Sequence, residues 1–197
     1  MKFISKIKIL ALNSLIALVF VGCNTTNKIA TKKLKQPSIK GIESLKPKEI
    51  VILLGAKIWD GVSERQIENY RRVFGFGDTD KDGKHSKKEY IENGRYMTPQ
   101  ARQGIFKASD ANNDGFVTQA EYVENRIITD EAKQIFSEMD ADQNGKLTDI
   151  EFFKAEKIKD QQLAKEIFWA LDTNDNKELI IPEYLRVWGK WARNVSP

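Results

Sequence analysis

One twelve-residue frame decides which architectures are open to this chain: Asp140-Ala141-Asp142-Gln143-Asn144-Gly145-Lys146-Leu147-Thr148-Asp149-Ile150-Glu151. Side-chain oxygens stand at positions 1, 3, 5, 9 and 12 (Asp140, Asp142, Asn144, Thr148, Glu151), and Gly145 stands at position 6. The backbone carbonyl of Lys146 at position 7 completes the set. A hard cation such as calcium takes roughly six to eight oxygens at about 2.3–2.6 Å, and a final Glu can give both of its own. The turn at position 6 needs positive φ, which glycine adopts without a steric penalty.

The frame recurs three times. Loop 1 offers Asp78, Asp80, Asp82, the Lys84 carbonyl, Ser86 and Glu89; loop 2 offers Asp110, Asn112, Asp114, the Phe116 carbonyl, Thr118 and Glu121. The Asp140 frame is loop 3. Loop 4 keeps Asp172, Asn174, Asn176, the Glu178 carbonyl and Glu183, but has Lys177 at the turn and Ile180 at position 9. The starts at 78, 110, 140 and 172 are spaced by 32, 30 and 32 residues, a period that marks a repeated structural unit. A β-branched residue and Phe precede each loop (Val73-Phe74, Ile105-Phe106, Ile135-Phe136, Ile167-Phe168). An aromatic and an apolar residue follow each final Glu (Tyr90-Ile91, Tyr122-Val123, Phe152-Phe153, Tyr184-Leu185).

These loops and flanks resemble the EF-hand family, whose loop reads D-x-[DN]-x-[DN]-G-x5-E. The resemblance runs from Ser63 to about Trp191. It implies an all-α fold of four helix-loop-helix units in two pairs, with three firm calcium sites and a weaker fourth. It also implies a short β-contact at position 8 within each pair, His85 facing Val117 and Leu147 facing Leu179. His85 is then expected to be half-exposed, with only its backbone mattering; the alternative is an acid-sensitive first pair.

The expected order along the chain is a signal peptide (1–22), a flexible tether (23–47), a further helix with the first pair (48–128) and the second pair (129–197). Lys2, Lys6 and Lys8 precede a mostly apolar run from Ile9 to Val21, too short to span a bilayer comfortably and of signal-peptide proportions. Phe20-Val21-Gly22-Cys23 resembles the bacterial lipobox, which implies lipidation of Cys23 and an anchor in the cell envelope. By resemblance to Gram-negative lipoproteins, Asn24 points to the outer membrane, facing the periplasm. An ordinary secretory leader is the alternative. The polar, Lys-rich stretch that follows lacks the apolar surface to offset chain entropy. The net charge of +4 arises from the leader and tether, so the high pI gives no reason to expect nucleic acid as a partner.

Pro47 at a helix start favours a helix over Glu49 to Trp59, rather than a strand. That helix either fills the apolar groove of a pair, as a target helix would, or extends the core. Ser63 with Gln66 forms a capping box, and Ile67, Tyr70, Val73 and Phe74 share one face of the next helix. Thr98-Pro99 starts another, Thr129-Asp130-Glu131 the entering helix of loop 3, and Asp160 that of loop 4. Tyr184, Val187, Trp188 and Trp191 form a core stripe on the last.

Ligand charge ranks the sites. Loops 2 and 3 carry three carboxylates each, loop 4 only two. Loop 1 carries four, but Lys81, Lys84, Lys87 and Lys88 cancel them. The expected order of affinity is loops 2 and 3, then 1, then 4. With one His and one Cys, nothing pairs a nucleophile with a base, so no catalysis is expected. The reading is a lipid-anchored calcium-binding protein with a structural or buffering role. The alternative is a calcium-dependent sensor or adaptor for an envelope protein or peptide.

Overall fold

The computed structural model describes residues 41–194. The leader, Cys23 and the tether up to residue 40 lie outside the described residues. Among the described residues no helix is long and apolar enough to cross a membrane. The fold is mostly helical: α1 (Pro47–Leu53), α2 (Glu64–Gly75), β1 (Lys84–His85), α3 (Pro99–Ser109), β2 (Val117–Thr118), α4 (Gln119–Met139), β3 (Lys146–Thr148), α5 (Asp149–Lys154), α6 (Gln161–Leu171), β4 (Glu178–Ile180) and α7 (Ile181–Ala192). Two antiparallel ribbons join the loops in pairs, β1 with β2 and β3 with β4. Their register sets His85 opposite Val117 and Leu147 opposite Leu179, the contact that the twelve-residue frame calls for.

Local chemistry accounts for most helix ends. Ser63 Oγ accepts the Gln66 N–H at 3.3 Å, but the Gln66 amide turns to Tyr70 Oη instead of closing the box. Thr98 Oγ1 caps α3 by accepting the Ala101 N–H, and Asp160 caps α6 by accepting the N–H groups of Gln162 and Leu163. Helix α1 begins at Pro47, whose missing N–H costs nothing in a first turn. It ends four residues after Glu49 rather than running to Trp59. Gly55 takes φ +108°, its N–H donates to the Ile52 carbonyl, and the Ala56 N–H donates to the Val51 carbonyl. That is a Schellman stop, with glycine at the left-handed position. A 3-10 turn follows at Ile58–Gly61.

Three further expectations need correction. No helix begins at Thr129. The Thr129 hydroxyl donates back to the Asn125 carbonyl at 2.8 Å, and Asp130 is engaged by Arg126 and Tyr70, so neither is free to cap. With no Gly or Pro to break it, α4 runs unbroken from the exit of loop 2 to the entry of loop 3. Val73 is exposed, lying beyond the buried face made by Tyr70 and Phe74. The exit from loop 1 is a single π-helical turn, Lys88–Glu92. The buried guanidinium of Arg102 takes over carbonyls within and beyond that turn, donating to Ile91 at 2.8 Å, Tyr96 at 3.1 Å and Met97 at 2.7 Å.

Two apolar clusters form the interior. The first gathers Tyr70, Phe74, Phe106, Val117, Tyr122, Val123 and Ile127 around the β1–β2 ribbon. The second, larger one surrounds β3–β4 and contains Phe136, Leu147, Phe168, Leu179, Tyr184, Trp188 and Trp191. Helix α1 belongs to the second cluster through Ile50, Val51 and Leu54, not to the first pair with which its place in the sequence groups it. The tether also ends earlier than residue 47. A 3-10 turn at Ile42–Ser44 lies on α6, and Ile42 and Leu45 pack against the second cluster.

Candidate metal centres

Each loop is held open by one repeated set of hydrogen bonds. The position-1 carboxylate accepts two backbone N–H groups: Asp82 and Gly83 on Asp78, Asp114 and Gly115 on Asp110, Asn144 and Gly145 on Asp140, Asn176 and Lys177 on Asp172. The position-3 side chain accepts the position-5 N–H: Asp80, Asn112, Asp142 and Asn174 each do so. The position-5 side chain accepts the position-7 N–H, from Lys84 on Asp82, Phe116 on Asp114, Lys146 on Asn144 and Glu178 on Asn176. Loop 4 keeps the whole scheme, with Lys177 at φ 64° where the others have glycine at φ 81–87°. A left-handed non-glycine residue costs about 1–2 kcal/mol. Position 4 is left-handed as well (Lys81, Asn113, Gln143, Asp175), which the loop pattern did not announce.

Position 7 has no side-chain role at the metal. Across the first ribbon the Lys84 ammonium lies over the Phe116 ring, 5.1 Å from its centroid. Across the second, Lys146 donates to Glu178 at 2.8 Å. The side chains at this position pair with each other, leaving only backbone for the loop.

The final Glu reaches back over its loop. Glu89 Oε1 accepts the Thr79 N–H and hydroxyl, and Oε2 accepts the Ser86 N–H and hydroxyl. Burial pushes the Glu89 carboxyl up, but the bonds from Ser86 and then Thr79 outweigh it and hold the group down at about 2. In loop 3 the Thr148 N–H and hydroxyl likewise lower Glu151. In loop 2 the Thr118 N–H and hydroxyl donate to Glu121 Oε2, and the Ala111 N–H donates to its Oε1.

Loop 4 breaks this pattern. Glu183 Oε1 accepts from Thr173 and Asn174, but Ile180 has no hydroxyl to give, and Oε2 has no partner among the described residues. Glu183 is only 2% exposed. A buried carboxylate oxygen with nothing on it is costly, and a cation in the loop would satisfy it.

Whether the donors fit a hard divalent ion follows from distance. Two oxygens on one calcium at about 2.3–2.6 Å lie no more than about 5 Å apart. Asp78, Asp80 and Asp82 each offer an oxygen within 4.8 Å of the others, as do Asp140, Asp142 and Glu151. Among the described residues no third group of acids converges so closely, so Asp110, Asp114 and Glu121 of loop 2 stand further apart. The residues fit an all-oxygen cation site, best at loop 3.

Residues 132–152 match the family model of the EF hand. That span holds the end of α4, all of loop 3 and the start of α5. The match supports an EF-hand calcium-binding protein. A comparison with curated proteins gives no match.

His85 differs from its expected place. It is 3% exposed, stacks on Phe74 with ring centroids 4.1 Å apart, and its Nε2 lies 2.9 Å from the Phe74 carbonyl. Gly77 makes room for it: a Cβ there would lie 2.7 Å from Nε2. A polar residue among apolar position-8 neighbours hid its role as a wedge between α2 and the ribbon.

Two outcomes follow from the carboxylates. In chelator, Glu89 stabilises the fold fully above its ordinary value of 4.5, and that share is lost as pH falls toward 2. Melting temperature against pH should therefore fall less steeply over this range in Glu89→Gln than in the unaltered chain. Glu183→Gln should remove the weakest site, because loop 4 has the fewest charges, with loop 3 affected only through the ribbon and loops 1 and 2 not at all. It should also leave the metal-free fold as stable or more so, since glutamine can keep the bonds from Thr173 and Asn174 while the buried oxygen without a partner is replaced by a neutral group; calorimetric titration and thermal melts measure the two effects.

Proposed function

We propose that this is a non-catalytic calcium-binding protein of four EF-hand units, in which bound calcium has a structural or buffering role. The observation that carries this reading is the convergence of Asp140, Asp142 and Glu151 within 4.8 Å inside the stretch that matches the EF-hand family. In it, loops 1 to 3 bind calcium firmly and loop 4 weakly through Asp172, Asn174, Asn176, the Glu178 carbonyl and Glu183. Calcium supplies a charge on which mutually repelling carboxylates can converge. The chain's own residues fix the loop through backbone N–H donors, orient the final Glu through Thr79, Ser86, Thr118 and Thr148, and couple neighbouring loops through the ribbons. A structural role is favoured because α1 already packs, through Ile50, Val51 and Leu54, into the apolar cluster around β3–β4.

The reading includes an envelope location, with Cys23 lipidated and the protein tethered to the outer membrane on its periplasmic side. That part rests on the lipobox-like residues alone. A second reading, a calcium-dependent adaptor for an envelope protein or peptide, draws on the first half. There Phe76, Tyr96 and Met97 are 76%, 80% and 59% exposed.

Calorimetric calcium titration of the full chain, with magnesium as control, tests the main reading. Saturable uptake with a higher melting temperature supports it; no uptake at millimolar calcium refutes it. An apolar-surface dye separates the roles, since new dye binding with calcium would favour the adaptor.

A further inference from the structure

The segment 41–62 lies across three of the four helices that frame loops 3 and 4. Its first turn, Ile42–Ser44, sits on α6, α1 sits on α7, and the turn Ile58–Gly61 sits on α4. Val51 and Leu54 are fully buried in the second cluster. That cluster also contains Leu147 and Leu179, the facing pair of the ribbon, and Met139 and Leu171, which immediately precede the first ligands Asp140 and Asp172.

Carboxylates hold both ends of the segment. The Ile42 N–H donates to Glu166 Oε2 at 2.8 Å. The Lys57 N–H donates to Glu131 Oε1 at 2.6 Å, and the Ile58 N–H donates to Glu131 Oε2 at 3.0 Å. Ile58 has φ 53°, a strained conformation for a β-branched residue, and the two N–H bonds to Glu131 secure it. Glu131 stands on α4 and Glu166 on α6, the helices that lead into loops 3 and 4. The segment is therefore fastened to the two helices that enter loops 3 and 4.

We infer that residues 41–62 are a built-in ligand of the second half, and that their docking is thermodynamically linked to calcium binding at loops 3 and 4. In the docked arrangement oxygens of Asp140, Asp142 and Glu151 converge within 4.8 Å, a spacing that one ion can bridge, so the positive sign is the one proposed. Linkage is reciprocal: a docked segment raises calcium affinity, and calcium tightens the docking. Among the described residues the first half has no such occupant: of the segment's apolar side chains, Val62 packs against its cluster. Its sites lie outside this coupling. The inference rests on the calcium-binding reading.

The test uses the full chain with Glu131→Ala and Glu166→Ala together, which cuts both fastenings and leaves the apolar core intact. Glu138→Ala is the control. It removes a carboxylate from α4, but one paired with Lys157 rather than the segment. Calorimetric titration should show the second-half sites weakened by roughly 5–150-fold in the double variant, the usual span of such couplings. The first-half sites and the control should hold their affinity. Trypsin cleavage at Lys48 and Lys57 should be slowed by calcium in the unaltered chain and less so in the double variant. Unchanged affinity with calcium-insensitive cleavage would overturn this inference and leave calcium binding standing. Absence of calcium uptake by the unaltered chain would overturn both. If the double variant proves poorly folded, a peptide of residues 41–62 added to a Val51→Asp chain replaces it. Tighter calcium binding with the peptide supports the linkage, and no change overturns it.

Discussion

With Glu151 changed to glutamine, calcium titration is expected to lose the loop 3 site and to weaken loop 4 with it. Glu151 is one of three carboxylates that converge there, and the only one that reaches in from the far end of the loop. One carboxylate fewer should lower the affinity of loop 3 by roughly ten- to a hundred-fold, a modest step along the wide range that ligand charge spans. The loss should spread because Leu147 and Leu179 face each other, both fully buried, in the ribbon that joins the two loops. Helix α5 should survive, since glutamine can still accept from the Thr148 N–H and hydroxyl that now bind Oε2. Loops 1 and 2 belong to the other ribbon and should titrate as before. Loss of the loop 3 site alone, with loop 4 unmoved, would contradict the coupling through the ribbon.

The second large effect is expected from Trp188→Ala. Trp188 is buried beside Tyr184, with ring centroids 5.2 Å apart, in the cluster that also holds α1. Removing a buried aromatic leaves a cavity that neighbours only partly fill, at a cost of about 3–5 kcal/mol. For a chain of this size that lowers the melting temperature by roughly 10 °C or more. Trp169, one helix earlier, is mostly exposed, and Trp169→Ala should move the midpoint little. Thermal melts of the two variants in chelator make the comparison free of metal effects.

The loops, the ribbon register and the core stripe of α7 could be read from residues alone. Each depends on short-range spacing: oxygens at fixed positions of a twelve-residue frame, a contact at position 8, apolar residues every three or four places. What resisted reading were choices between partners. Nothing local to Ile50, Val51 and Leu54 says which half they will pack in, and only the structure sets them beside Trp188. Thr129-Asp130-Glu131 has the residues of a helix start, yet each side chain is engaged elsewhere: Thr129 with Asn125, Asp130 with Tyr70, Glu131 with Lys57 and Ile58. The same holds at the metal sites. The ligand frame was evident, whereas the unpartnered Glu183 oxygen and the buried His85 wedge came from contacts across the fold.

The unbroken α4 has a mechanical consequence. At about 1.5 Å per residue its 21 residues make a rod of about 30 Å, with Tyr122 in one cluster near its start and Phe136 in the other near its end. Those two rings stand about four helical turns apart, so they share nearly the same phase around the axis. Deleting a single residue between them would swing one end by about 100° relative to the other. Tyr122 and Phe136 could not then both find their partners, so a single-residue insertion or deletion between them breaks one cluster or the other.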